Sequence, residues 1–392
     1  MNRSEIVAGV SLAGVFALRM LGLFLILPVF APHARALAGG DNLALVGFAL
    51  GAYGLTQALF QIPYGIASDR YGRKPVIVFG LLLFVIGSVV AAMASDLAWI
   101  TVGRVVQGSG AISAAVTALA ADLTREQHRT KVMAMIGSSI GLVFAMSLVA
   151  APLLYAAISL SGMFWLTAVL AAASILVVWR VVPPAPPVQP GVRVPIMTVL
   201  RNRDLGRLNF GVLALHLMQT ALWVVVPSAL VQDAGLPLGE HWKVYLPAVL
   251  ASFVLMVPAI IAAERHNKVK PVFALAIGLL LVVQLGLYFA GQGLYLLALW
   301  LLLFFVGFNI LEAMQPSLIS RIAPAQAKGT ALGIYNTTKS LGLFLGGTLG
   351  GWLARQLGVG VLHVACAVLA TIWLGLALSM APLPARAAKL SP

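Results

Sequence analysis

The chain has 392 residues, 61% of them hydrophobic and 9% charged, with a formal net charge of +14. A soluble domain carries about a quarter charged residues, so a water-facing shell cannot enclose this much apolar side chain, and the composition points to an integral membrane protein. The single cysteine, Cys366, excludes a disulfide framework and a cysteine-rich metal site.

A helical span needs about 20 mostly apolar residues, because in lipid only an intact helix satisfies its own backbone hydrogen bonds. That length picks out twelve segments, near residues 6–32, 43–67, 76–95, 98–121, 132–157, 161–181, 208–231, 244–263, 272–290, 294–320, 330–354 and 359–380. The first is too long for a cleaved signal peptide and lacks an A-x-A-like end, so it stays as the first span. A spanning barrel would need short alternating strands, and "LLLFVIGSVVAAMA" does not alternate. The expected fold is all-α, with twelve transmembrane helices.

The basic residues orient the spans. One side holds Arg3; Arg70, Arg73 and Lys74; Arg125, Arg129 and Lys131; Arg180, Arg193, Arg201, Arg203 and Arg207; Arg265, Lys268 and Lys270; Arg321 and Lys328; Arg386 and Lys389. The other side holds only Arg35, Lys243 and Arg355, and the positive-inside rule predicts that both termini are cytoplasmic in an inner, plasma-type membrane. The net positive charge follows from topology and from attraction to anionic lipid headgroups. A clustered basic surface with stacking aromatics, which nucleic acid requires, is not found.

Between the sixth and seventh segments runs the longest polar connector, "VPPAPPVQPGVRVPIMTVLRNRDLGR", whose prolines exclude a span. It divides the chain into a six-helix bundle over 1–181, a cytoplasmic linker over 182–207, and a second bundle with a short tail over 208–392. Glu264, Arg265 and Lys268 repeat the spacing of Asp69, Arg70 and Arg73 after about half the chain. Parallel halves of six helices are how one large class of secondary transporters is built.

The turn after the second segment, "GIASDRYGRKPVI", holds Gly65, Asp69, Arg70, Gly72, Arg73 and Lys74. Two glycines permit a tight turn and close helix approach. Asp69 suits a helix amino terminus, where free amides favour a carboxylate. An acid adds nothing to positive-inside bias, so a purely topological turn leaves Asp69 unexplained.

These six residues match the loop signature of the major facilitator superfamily, and "RVVQGSG" from Arg104 resembles the fourth-span pattern of its drug:proton antiporters. The resemblance covers essentially the whole chain, with two departures. The antiporter pattern ends span five in Gly-Pro, where this chain has Ala151 and Pro152. The branch it most resembles carries a small soluble domain after the last span, for which the residues up to Pro392 are too few. The resemblance implies that Asp69 meets the start of the eleventh span near Thr330 and ties the two halves together at the cytoplasmic face in an outward-open state. Arg73 would then pair with Asp122, and Arg70 and Lys74 would meet lipid phosphate.

Charges inside a membrane are functional candidates, because each costs several kcal/mol unless paired or hydrated. Four fall within segments: Arg19, Arg104, Glu312 and Lys339. Glu312 and Lys339 lie roughly 12 to 14 Å from the cytoplasmic face by helical rise and are expected to pair. Two readings stand for them, proton coupling through Glu312 or a static ion pair. Arg19 and Arg104 reach the outer half; they face the cavity or, for Arg104, pack against backbone carbonyls. Three cations against one anion suit an anionic or neutral amphipathic substrate better than a cation. Further cavity candidates are Tyr53, Gln57, Gln61, Gln107, His216, Gln219, Trp223, Asn309 and Gln315, each of which an interhelical hydrogen bond explains equally.

No H-E-x-x-H, phosphate-binding glycine loop or carboxylate cluster is present, so neither an enzyme nor a bound cofactor or metal is expected. The expected function is alternating-access transport by a monomer, most simply proton-coupled efflux of a small amphipathic or drug-like molecule. Import or uniport of a small metabolite, and a non-transporting receptor, are the alternatives.

Overall fold

A computed structural model describes residues 1–184, 196–289, 293–324 and 327–381, leaving aside the side chains of 126, 127, 129, 130, 134, 138 and 196. Most of the expected linker with Arg193, the tail with Arg386 and Lys389, and the Arg129 side chain lie outside the described residues.

Ten helices are long and apolar enough to span by composition alone. One of these is two helices, because within Glu126–Arg180 the residue Ser159 adopts φ 60° and ψ 177° and breaks the run. Lys328–Gln356 is not among the ten; it is rich in glycine and threonine and packs against protein on several sides. The described residues therefore hold twelve spanning helices.

In chain order these are α1, Arg3–Phe24 continued by Leu27–Ala34; α2, Leu43–Tyr71; α3, Arg73–Ala92; α4, Leu97–Ser109 continued by Ser113–Asp122; α5, 126–158; and α6, 160–180. They continue as α7, Arg203–Gln232; α8, Trp242–Arg265; α9, Val269–Phe289; α10, Leu294–Ile322; α11, Lys328–Gln356; and α12, Val359–Leu378. The starts follow capping chemistry. Asn2, Asn42, Asp96 and Asn202 each accept a backbone N–H of the first turn of α1, α2, α4 and α7. The cap at Asn202 corrects the expected linker: residues 203–207 are already the first turn of α7, because a capped helix begins before its apolar stretch does.

Gly72 ends α2 and starts α3 at φ +93° and ψ 150°, a conformation that a side chain resists. At Gly65 an added Cβ would only touch Ala114 Cβ at 3.7 Å. The expectation of an obligatory close approach there is corrected, since this end of α2 is loosely packed.

Helices α1–α6 pack on one another, as do α7–α12, and the most extensive pairing joins the two groups through α2 and α11. The glycine contacts of that crossing run from Gly351 against Leu43 to Gly54 against Ser340, from the ends of α2 and α11 remote from the termini to their middles. A Cβ on Gly47 would sit 2.0 Å from Gly347 O, one on Gly347 would sit 2.3 Å from Gly47 O, and one on Gly351 would sit 2.3 Å from Leu43 O. Nearer the terminal face the same helices separate: Gly329 and Gly333 of α11 have no atom within 4 Å of where a Cβ would stand. The molecule is closed at the face opposite the termini and open toward the terminal, basic face.

The two groups share a detail at the basic face. Lys74 Nζ at the start of α3 donates to Val182 O after α6, and Lys270 Nζ at the start of α9 donates to Met380 O after α12, both at 2.5 Å. These bonds sit at equivalent places in two parallel repeats. The Lys74 bond corrects the expectation that this ammonium meets lipid phosphate.

Gly347→Val is expected to destabilise the closed face by about 1–3 kcal/mol, the usual cost of overpacking, whereas Gly333→Val should leave it unchanged. Spin-label distances between the outer ends of α2 and α11 measure the difference.

Candidate functional site

At the basic end, Arg73 organises the turn between α2 and α3. It lies 8% exposed, and its Nε donates to Asp122 Oδ2 of α4 at 2.9 Å while Nη1 donates to Ser68 Oγ at 2.8 Å and to Asp69 Oδ1. Asp69 remains half-exposed, with 49% of its side chain open. The expected contact of Asp69 with the start of α11 is therefore absent here. Its physical cause is the open basic face, which leaves the carboxylate to Arg73, four residues on at the start of α3. Helix α11 begins with Ala327 as its N-cap, whose side chain caps none of its first amides, so these amides can donate to a carboxylate.

A second tie was not foreseen in the sequence. Glu5, in the first turn of α1 and buried to 4% of its side chain, accepts from Arg125 Nε at 2.9 Å and from Arg125 Nη2 at 3.1 Å. This bond lifts the Arg125 guanidinium above its ordinary pKa. The signal was an acid at the end of an apolar segment, placed just outside the span.

Deeper in the first six helices, Arg19 and Arg104 are 1% and 0% exposed. Both guanidinium groups lie over the ring of Tyr53, at 5.8 and 4.9 Å from its centroid. Arg19 donates to Ser113 Oγ at 3.1 Å and more weakly to Gln57 Oε1 at 3.5 Å. Arg104 donates to Gln107 Oε1 at 3.0 Å, and Gln107 passes the chain to Ser88 Oγ at 2.8 Å. The expectation that Arg104 packs against backbone carbonyls is corrected: an amide side chain and an aromatic face hold it. A desolvated cation over such a face gains about 2 kcal/mol or more.

In the second six helices, Lys339 Nζ of α11 donates to Glu312 Oε1 of α10, and the His216 Nε2 of α7 stands 3.4 Å from Glu312 Oε2. His216 Nδ1 lies 3.0 Å from Val212 O, an acceptor, so that nitrogen carries the hydrogen. Neutral His216 then turns the lone pair of Nε2 toward the carboxylate, and a proton bound on either partner would turn this contact into a hydrogen bond. The sequence singled out His216, Glu312 and Lys339 but did not join the histidine to the pair; no spacing rule links α7 to α10.

Of the candidate groups within the spans only Glu312 and Lys339 are accessible, with 28% and 24% of their side chains open. Tyr53, Gln57, Gln61, Gln107, Gln219, Trp223, Asn309 and Gln315 are buried, like the two arginines and His216. Their placement on an open cavity wall is corrected. Asn309 donates to Ser252 Oγ at 3.0 Å, Trp223 packs edge-on against Tyr245, and Gln61 and Gln315 lie buried without a hydrogen-bond partner. Among the described residues no cluster of three metal-ligating side chains occurs.

The profile described as Major Facilitator Superfamily matches residues 12–262 and 208–392. The chain is similar to the inner membrane transport protein YajR of Escherichia coli (strain K12), with 46% identity over 94% of this chain and 82% of the relative. It also resembles multidrug resistance protein MdtH of Yersinia enterocolitica, with 27% identity over 85% of this chain and 83% of the relative. In three dimensions it superposes on the human organic anion transporter MFSD10 (TETRAN) at a TM-score of 0.72, with 18% identity and coverage of 96% of this chain and 100% of that one.

Lys339→Met and Glu312→Gln are each expected to lower stability by about 1–2 kcal/mol, less than for a fully dry pair because both groups are partly hydrated. The double variant should lie nearer the wild type than the sum of the two. Thermal unfolding of the purified protein in detergent, read as a double-mutant cycle, measures this coupling.

Proposed function

The chain belongs to the Major Facilitator Superfamily, a multi-pass membrane transporter rather than an enzyme, and from that premise we propose that it exports a small amphipathic molecule by alternating access, driven by protons. The observation that carries this reading is the accessible Glu312–Lys339 pair with His216 behind it.

A proton arriving at Glu312 neutralises the carboxylate and removes its attraction to Lys339. Proton uptake and separation of α10 from α11 thereby become one event. Because α11 is the helix that crosses α2, loosening it at mid-membrane acts directly on the contact between the two groups of six. A molecule that enters from the open basic face and donates a hydrogen bond to the ionised Glu312 is displaced when a proton takes that carboxylate, which is the logic of an antiporter.

The distribution of the basic residues puts the open face and both termini in the cytoplasm, so the conformation described is inward-open. In the outward-open state the basic face closes. Asp69 then exchanges Arg73 for the uncapped first turn of α11, gaining charge–dipole attraction of about 0.3–1 kcal/mol. Arg73 stays held by Asp122. Gly72 supplies the turn that keeps Asp69 and Arg73 together. The latch therefore needs only a change of partner.

Substrate class follows from sign. Arg19 and Arg104 make the first six helices cationic in their interior, and Lys339 balances Glu312 in the other six, so an anionic or neutral amphipathic molecule is favoured over a cation. The similarity of this chain to MdtH, a multidrug resistance protein, is compatible with that class.

In proteoliposomes, an imposed pH gradient is expected to drive substrate accumulation, and Glu312→Gln should abolish that drive while the protein still folds. Drive that persists unchanged in Glu312→Gln refutes the proton assignment. Asp69→Asn should slow turnover several-fold and leave ligand binding intact, as read by parallel flux and binding assays.

A further inference from the structure

The outer surface of α2 and α3 carries a groove of about 390 Å³, lined among others by Phe60, Tyr64, Ala67 and Tyr71 of α2 and by Pro75 and Phe79 of α3. Positions 60, 64, 67 and 71 recur at helical spacing and form one stripe. Small Ala67 and the rigid rings of Pro63 and Pro75 leave the space open. From Tyr71 at the basic end to Phe60 is about 16 Å by helical rise, close to the roughly 15 Å depth of one hydrocarbon leaflet. The groove has the length and the apolar wall of an acyl-chain site. Within the wall the hydroxyl of Tyr64, a residue 6% exposed, has no hydrogen-bond partner.

The mouth is charged. Arg73 is taken by Asp122, Asp69 and Ser68, and Lys74 by Val182 O. Exposed Arg70 has no acid partner among the described residues, and its guanidinium lies over the ring of Tyr71, 5.5 Å from the centroid. Tyr71 is itself part of the groove, so the cation stands where a headgroup follows an acyl chain out of the membrane. A guanidinium binds phosphate through two parallel hydrogen bonds. A zwitterionic headgroup would bring its own cation into a turn that already holds Arg70, Arg73 and Lys74.

We propose that this groove is a binding site for one anionic phospholipid of the leaflet at the basic face, with an acyl chain between α2 and α3 and the phosphate on Arg70. The site is distinct from the path of the transported molecule, since it opens on the outside of α2 and α3. It depends on neither the proton assignment nor the direction of transport.

Native mass spectrometry of the purified full chain, titrated with phosphatidylglycerol, phosphatidylcholine and glycerol phosphate, tests it. Phosphatidylglycerol is expected to bind about five-fold more tightly than phosphatidylcholine, the effect of one basic residue at a membrane surface. Arg70→Gln, at an exposed position that folding does not need, should abolish that preference. Ala67→Phe, which fills the groove, should weaken both lipids alike, and glycerol phosphate alone should not compete. An undiminished preference in Arg70→Gln overturns the headgroup assignment. Undiminished lipid binding in folded Ala67→Phe overturns the groove, and competition by glycerol phosphate would show a headgroup site without an acyl chain, which equally contradicts the proposal.

Discussion

The contact on which this structure depends is the glycine-on-glycine crossing of α2 and α11. Backbone carbonyls of Gly47 and Gly347 stand where each other's Cβ would be, so the helices approach as closely as their main chains permit. In a membrane there is no hydrophobic drive to bring helices together, and close backbone packing supplies the attraction instead. Once these two helices touch in the half remote from the termini, their straight continuations diverge in the other half. The free space at Gly329 and Gly333, the exposure of Asp69 and the accessibility of Glu312 and Lys339 are all consequences of that divergence.

On the transport reading proposed above, the two closures are made of different materials. The closed face is held by main-chain packing, which is short in range and indifferent to pH or salt. The open face carries the ingredients of a closure built from a carboxylate and a helix terminus, which is longer in range and sensitive to both. A bistable device profits from this difference. Charge neutralisation does not itself alter the main-chain packing; it reaches that packing only by releasing α11 from α10.

Much of this architecture was legible in the sequence. Length and apolarity locate all twelve helices, including α11, and the pairing of Glu312 with Lys339 and of Arg73 with Asp122 follows from depth and from the loop signature. Three things were not legible, each for a physical reason. The partner of Asp69 follows from the open basic face, which no residue spacing states. Burial of Arg19 and Arg104 depends on one ring, Tyr53, lying beside both cations, and no residue spacing announces such stacking. The start of α7 at Arg203 is set by the Asn202 cap, whereas the apolar count begins only after Arg207. Gly65 misled in the opposite direction, because a signature glycine marks a close approach only in the state where that approach is made.

The repeat within the chain bears on where the latch resides. Lys74 and Lys270 make the same bond at equivalent places, to the carbonyl that follows the last helix of their own group. The neighbouring charges do not follow suit. In the first group a base in the turn, Arg73, meets an acid at the end of α4; in the second an acid at the end of α8, Glu264, meets a base at the end of α10, Arg321, at 2.5 Å. With its acid held by Arg321, the second turn offers no half-exposed carboxylate comparable to Asp69. The scaffold is duplicated while the charge pairing is not. On the reading proposed above, a latch on one side of the pseudo-axis lets one carboxylate report closure, in the turn where the signature residues are complete.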